Sequence, residues 1–453
     1  MTQVKIIGGG LAGCEAAWQL AERDIKVDLY EMRPEKCTPA HQTPALAELV
    51  CSNSFRSDDK LSNAVGMLHE ELRICGSLIM KAADEHKVPA GSALAVDRNL
   101  FSAEVTNCIR NHQNINVIQK EVTNIPDDWE NVIIATGPLT SEALSEFILK
   151  KSSDDSLYFF DAIAPIIYTD SIDMSAAWFQ SRYNKVGPSG SINDYINCPL
   201  NEKQYLQFVD ELIEADQASF NEWEKDTPYF DSCLPIEVIA RSGPQTLRHG
   251  PMKPFGLNNP HSEGDEPYAV IQLRQDDISG QLYNMVGFQT KIKYGHQTDI
   301  FRKIPGLCNA RFARLGGIHR NTYINSPKLL SSDLSLILDQ RIKFAGQITG
   351  VEGYVESASI GLLSGLMMHN KLKMIEQKPP PKTTAMGSLI SYITRKDHVK
   401  DFQPMNINFG LFENMDIRDI RKKPKRIRDM EKKNRIAQRA ESDLNKWLKS
   451  SFA

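Results

Sequence analysis

The chain has 453 residues, enough for roughly two or three domains with real cores. It is 41% hydrophobic and 24% charged, and its 8 cysteines in so long a chain exclude a disulfide scaffold and point to reduced thiols. The net charge of −4 excludes a uniformly basic nucleic-acid binder, so any RNA contact has to come from a local patch.

In chain order, "QVKIIGGGLAGCEAAWQLAERDIKVDLYEMR" (3–33) runs from an apolar segment through a glycine turn and a helix to a second apolar segment, which predicts a βαβ unit. Nothing before it has the layout of a signal peptide, and no apolar run approaches the roughly 18 residues of a membrane span, so the expectation is a soluble cytoplasmic protein without a membrane partner. Apolar residues at helical spacing predict helix over 60–84 and again over 99–111. "ENVIIATGPL" (130–139) predicts a buried strand ending in a turn. From about 157 the texture changes to aromatics, prolines and short strands, as in "LYFFDAIAPIIYTD". Residues 201–225 predict a helix, and "YAVIQLRQ" and "LYNMVGFQTKI" predict adjacent strands. Near 342 the buried pattern returns in "IKFAGQITGVEGYVESASIGLLSGLMM", followed by a Pro-rich linker (377–384) and a polar, basic tail. The predicted architecture is α/β, with a Rossmann-like dinucleotide-binding domain split between 1–160 and 326–453 and an inserted α+β substrate domain over 161–325.

Gly8, Gly10 and Gly13 fit G-x-G-x-x-G, between a predicted strand and helix. The first glycine permits the tight turn, the second lets the backbone approach a pyrophosphate, and the third lets helix and strand pack closely. The helix N-terminus then offers free N–H groups and its dipole to the phosphates, with Gly9, Leu11 and Ala12 completing the turn. Glu31, at the end of the second strand, is placed to accept both ribose hydroxyl protons. Two later segments favour FAD over NAD. "IIATGP" (133–138), with Thr136 and Gly137, resembles the A-T-G turn of flavoproteins with two dinucleotide-binding domains. "FAGQITGVEGYVESASIGLLSG" (344–365) is a second glycine-rich strand-to-helix turn. Gly346, Gln347, Gly350 and Tyr354 fall where a late helix would aim its N-terminus at a flavin and stabilise its reduced, anionic form. The alternative reading of 344–365 is a buried helix whose small residues allow close packing.

Residues 418–439, "RDIRKKPKRIRDMEKKNRIAQR", hold eleven Lys or Arg against three acids. Arg418, Arg421, Lys422, Lys423, Lys425 and Arg426 lead this run and are candidates for phosphate contact, with a merely solvated face as the alternative. No Cys or His spacing suggests a metal site.

The segments "KIIGGGLAGCEAAWQLA", "LVCSNSFRSD", "GSLIMKAAD", "VPAGSALAVDR", "CLPIEVIA", "TLRHGPMKP", "GGIHRNTYINSPKLL", "FAGQITGVEGYVESASIGLL" and "QPMNINFGLF" together resemble the folate- and FAD-dependent tRNA (uracil-5-)-methyltransferases, the TrmFO type, in that family's order over almost the whole chain. The chain departs from the pattern at Arg241 and Ser242, near which the family leads one to expect an acid. The resemblance implies that methylenetetrahydrofolate supplies a one-carbon unit to C5 of a T-loop uridine in tRNA, that reduced FAD supplies electrons, and that NADPH or NADH recharges the flavin. It implies two functional thiols: Cys233 as the nucleophile at C6 of uracil, and Cys51 as its partner near the flavin, as proton acceptor or in handling the methylene group. It also makes His319 and Arg320 candidates for folate or RNA phosphate, and places His249 and Lys253 in a family segment, each with a structural role as the alternative. Relatives acting on ribosomal RNA leave that substrate open. A larger relative that modifies the wobble uridine, and a flavin-containing RNA-binding protein without turnover, are the further alternatives.

Overall fold

The computed structural model describes residues 3–38, 40–152, 157–187, 190–217, 234–262, 266–376 and 378–451, with backbone alone at 157–161 and 318–320. One six-stranded sheet has the order Ser335–Leu336, Asp339–Phe344, Val132–Ile134, Gln3–Ile7, Lys26–Glu31, Ile115–Gln119. All its pairings are parallel except the first, which is an antiparallel edge. Val4, Ile6, Val27, Leu29, Ile133 and Phe344 are buried, as the continuous apolar runs of a sheet covered on both faces require. The helix Leu11–Ala21 packs along the late helix Tyr354–Leu372. Gly361 makes that approach possible, because a Cβ there would collide with the carbonyl oxygen of Ala12. Close packing through small residues is therefore a property of the late helix, whatever else its N-terminus does.

The predicted helix over 60–84 is two helices, Ala64–Ile74 and Leu78–Glu85. Gly76 breaks it with φ at 71°, and Ser77 starts the second by accepting the Met80 N–H. The strand Ile115–Gln119 has no counterpart among the predicted elements; its half-exposed edge position leaves it without an apolar run.

A second six-stranded sheet, antiparallel throughout, has the order Trp178–Phe179, Tyr195–Leu200, Ala269–Gln275, Leu282–Met285, Ile166–Tyr168, Phe312–Arg314. The helix Glu202–Glu214, opened by a capping box between Asn201 and Gln204, buries Tyr205, Phe208, Val209 and Leu212 in this sheet's own core. The predicted 201–225 helix thus ends at Glu214, and residues 218–233 lie outside the described residues. A ribbon of Leu157–Ile163 against Gly317–Tyr323 carries the chain from one sheet towards the other and back.

The C-terminal segment is not a tail. Lys425–Ser451 is a single helix whose Ile436, Ala440, Leu444 and Trp447 are buried in the first core. Trp447 donates its indole N–H to the Lys378 carbonyl at 2.8 Å, fixing the proline segment, and Thr384 caps the buried helix Ala385–Thr394. Among the described residues no helix is long and apolar enough to cross a membrane.

Candidate functional site

A cleft with about 1090 Å³ of empty space, its open mouth included, lies at the carboxyl ends of the parallel strands, where a doubly wound sheet binds its ligand. Gly8, Gly10, Leu11 and Ala12 form one wall, Thr136 and Gly137 a second, and Gln347 and Tyr354 a third; Glu31 and Cys51 also line it. Gly8 sits at φ 105°, and Gly13 is pressed so close that a Cβ would collide with the Gly8 carbonyl oxygen. At Gly10 the same added carbon would meet nothing within 4 Å, so the helix N-terminus is open to the cleft. Gly346 and Gly350 shape the late turn rather than lining the cleft; Gly346 lies against Ala12 and Gly350 against the Phe402 ring.

Glu31 is buried and accepts the Gly9 N–H at 2.9 Å on one oxygen, and the Arg33 backbone and guanidinium N–H at 3.0 Å on the other. Burial alone would raise its carboxyl; the bonds and charge of Arg33 and the Gly9 N–H outweigh it and hold the group below the usual carboxylate range. Besides the ribose-accepting role expected of it, Glu31 staples the glycine turn.

Cys51 is half-buried, on a loop held from every side. The phenol oxygen of Tyr354 accepts the N–H of Cys51 at 3.0 Å and of Ser52 at 3.2 Å. Burial pushes the Tyr354 phenol far up, and the nearby Cys51 pushes it the same way, so it stays protonated. Arg314 donates to the Val50 carbonyl at 2.7 Å, and Arg98 to the Leu49 carbonyl at 3.1 Å. Arg274 donates to the Ser52 hydroxyl at 2.8 Å and to Asn53 at 3.1 Å. Further on, Arg56 forms an ion pair with Glu356, buried in the first turn of the late helix, so the "CSNSFRS" segment is tied to the element that forms the cleft's third wall. Sequence reasoning missed Arg98, Arg274 and Arg314. The available signal was Arg274 itself, a charge in the buried run "YAVIQLRQ" where only a committed partner tolerates one.

The other thiols divide by burial. Cys14 is fully buried, donates to the Gly9 carbonyl at 3.3 Å, and is pushed far up by burial. Cys198 is likewise buried and pushed up to about 12. Cys233 lies outside the described residues, and of His319 and Arg320 only the backbone is described. His249 is exposed and lines a shallow groove with Leu234 and Thr246, away from the cleft's lining; Lys253 is also exposed. One group of metal-type side chains, Glu85, His86 and Glu104, brings its ligand atoms within 4.8 Å of one another, and none of the three lines the cleft.

The basic run forms the approach to the C-terminal helix and its first half, largely exposed as far as Met430 and half-buried beyond. Some of its charge is already spent: Arg418 pairs with Asp416 at 2.5 Å, Lys423 with Glu431 at 2.6 Å, and Arg435 with Asp419 and Glu431 at 2.7 Å each. Arg421, Lys422, Lys425 and Arg426 are exposed.

The family model described as glucose inhibited division protein A matches residues 3–376. The methylenetetrahydrofolate–tRNA-(uracil-5-)-methyltransferase TrmFO of Rhodopseudomonas palustris is 57% identical over 459 residues, covering 98% of this chain and 96% of that one. The protein of the same name from Brucella canis is 56% identical over 460 residues, covering 99% and 98%. Among solved structures, Aquifex aeolicus GidA in its form II crystal has a TM-score of 0.69 at 16% identity, covering 98% of this chain and 73% of that one, and so shares the fold. The near-complete match in length to the TrmFO proteins, against three quarters of GidA, agrees with the "CSNSFRSD" and "CLPIEV" segments in separating the two. The chain belongs to the TrmFO-type methylenetetrahydrofolate–tRNA-(uracil-5-)-methyltransferase family.

Proposed function

We propose that this chain forms 5-methyluridine in the T loop of tRNA, with methylenetetrahydrofolate as one-carbon donor, FAD as reductant and NADPH or NADH as the source of its electrons. The observation that carries the reading is the place of Cys51: a family thiol on the wall of a cleft whose other walls are a glycine turn at a helix N-terminus and a second helix N-terminus.

The residues present fit FAD. Gly8–Gly13 leave the backbone open to a pyrophosphate, Glu31 stays ionised to accept from a ribose, and the Tyr354–Leu372 helix directs its positive end into the cleft. FAD, when bound, supplies the electrons that convert the one-carbon unit to a methyl group. The protein's own part is to activate uracil, whose C5 is a weak nucleophile. Addition of a thiolate to C6 makes C5 nucleophilic, and removal of the C5 proton then lets the C6–S bond break. In this reading Cys233 adds to C6, and Cys51, fixed by Tyr354, accepts the proton or handles the methylene group. The uridine reaches the cleft by leaving its stack. The exposed cations Arg421, Lys422, Lys425 and Arg426, with Arg418 and Lys423, contact RNA phosphates. The same proposal divides the chain into an FAD-binding domain of 1–160 and 326–453 and a substrate domain of 161–325.

The test is incubation with unmodified tRNA and unmodified ribosomal RNA, methylene-labelled methylenetetrahydrofolate and NADPH, followed by mapping of the label. Label in 5-methyluridine of the T loop supports the proposal. Label confined to ribosomal RNA, or FAD bound with no label in any RNA, would sink it.

A further inference from the structure

The loop that carries Cys51 belongs to the parallel-sheet half of the chain, yet much of what holds it comes from the antiparallel sheet. On one side of Cys51, Arg314 binds the Val50 carbonyl at 2.7 Å; on the other, Arg274 binds the Ser52 hydroxyl at 2.8 Å. Asn53 completes the junction by donating to the Gln275 carbonyl at 2.9 Å while accepting from Arg274. Two guanidiniums from the inserted region therefore flank one thiol.

Neither forms a direct ion pair among the described residues, although the charge of Asp276 acts on Arg274 and that of Glu48 on Arg314. Arg98, which also holds the loop, is neutralised by a two-pronged ion pair to Asp276 at 2.7 and 2.8 Å. Among the described residues neither Arg314 nor Arg274 has a carboxylate within ion-pair distance, although Arg274 is only 8% exposed and Arg314 half-buried. A guanidinium sequestered in this way is costly unless an anion or a strong acceptor compensates it. The ionisable group between their two anchor points is Cys51. Among the described residues, the charged and titratable groups that face it include the guanidiniums of Arg98 and Arg314 and the protonated phenol of Tyr354. Glu48, the acid on the same loop, is paired with Arg33 at 3.1 Å.

We propose that Arg314 and Arg274 are positioning residues for Cys51, both holding its loop against the cleft and Arg314 also stabilising its thiolate, so that the reactivity of this thiol depends on the docking of the inserted region. The inference rests on reading Cys51 as a functional thiol and goes beyond it in saying what activates that thiol and from which part of the chain. Full-length FAD-loaded protein is pulsed with iodoacetamide across a pH series, and Cys51 and Cys37 are quantified in the same digest by mass spectrometry. Cys37 is exposed and serves as the internal reference. The wild-type midpoint for Cys51 is expected below that of Cys37. Arg314→Gln is expected to raise it by about one unit, or about tenfold slower alkylation at neutral pH, with Arg314→Lys retaining most of the effect. Identical Cys51 profiles in wild type and Arg314→Gln would overturn the proposal, as would a wild-type midpoint at or above that of Cys37. If Arg314→Gln fails to hold FAD, Arg314→Met and Arg274→Gln are compared in the same way, and a midpoint unmoved in both would also overturn it. Alkylation needs neither tRNA nor folate. A low Cys51 midpoint in a chain that does not methylate therefore supports the clamp while counting against the reaction.

Discussion

The phenol oxygen of Tyr354, the first residue of the late helix, accepts the backbone N–H of Cys51 at 3.0 Å across 303 residues of sequence. One hydroxyl thereby ties the backbone of Cys51 to the helix whose N-terminus forms the third wall of the cleft. Replacing Tyr354 by Phe removes the acceptor of two N–H groups in a buried setting, which costs about 1–3 kcal/mol. The expected outcome is a lower thermal midpoint with FAD retained, and methylation slowed roughly tenfold or more because the thiol is no longer held in place. Parallel melting and turnover measurements check it, and unchanged turnover in a folded Tyr354→Phe protein would show that the bond does not position Cys51.

Gly13→Ala places a methyl group on the Gly8 carbonyl oxygen. The turn has to open, and the expected result is loss of bound flavin from a chain that still folds around its second core. Flavin absorbance per purified chain reports this directly, with Gly76→Ala as a control for strain at a glycine that does not line the cleft.

Glu71 gives a pH dependence with a definite sign. Its fully buried carboxyl accepts the N–H groups of Ala385 and Met386, and burial outweighs those bonds, pushing it up to about 8 from 4.5. A carboxyl raised in the fold favours folding while protonated. Its contribution is complete below the unfolded value and is lost as pH rises from about 4.5 through about 8. Denaturation midpoints of wild type should therefore fall across that window relative to Glu71→Gln, which cannot ionise. Curves that stay parallel would show that Glu71 is ionised in the fold throughout.

The exposed cations and the paired ones should separate in RNA binding. Removing Lys422, Lys425 and Arg426 together is expected to weaken tRNA binding at least tenfold, and to lower the slope of log affinity against log salt by about one for each phosphate left unneutralised. Arg435→Gln, whose charge is spent on Asp419 and Glu431, should change affinity much less. Equal effects from both variants would mean that the run acts through total charge and not through its exposed face.

What could be read from the sequence was what local chemistry dictates. Gly8, Gly13 and Glu31 announce themselves because a tight turn, a close crossing and a strand-end acid each demand a residue type at a fixed spacing. Residues whose meaning depends on distant partners did not. Arg274 and Arg314 acquire theirs only when the antiparallel sheet is brought against the Cys51 loop, some 220 to 264 positions away. The basic run hid a readable signal: Ile436, Ala440, Leu444 and Trp447 recur at helical spacing among charges dense enough to suggest a solvated tail. Gly76 is a legible helix break, masked by the apolar periodicity that continues on both sides of it. Cys233, taken from the resemblance to a family, lies outside the described residues and stays a proposal.

If Cys51, on the wall of the dinucleotide cleft, takes part in folate-dependent methylation of tRNA, its loss must stop the reaction without emptying the cleft. The most direct measurement is single-turnover methylation of unmodified tRNA by FAD-loaded wild type and Cys51→Ala, with labelled methylenetetrahydrofolate. The expected result is 5-methyluridine from wild type and at least a hundredfold slower formation, on the order expected for loss of an activated thiol, from a Cys51→Ala chain that still holds FAD. Methylation at the wild-type rate by Cys51→Ala would contradict it.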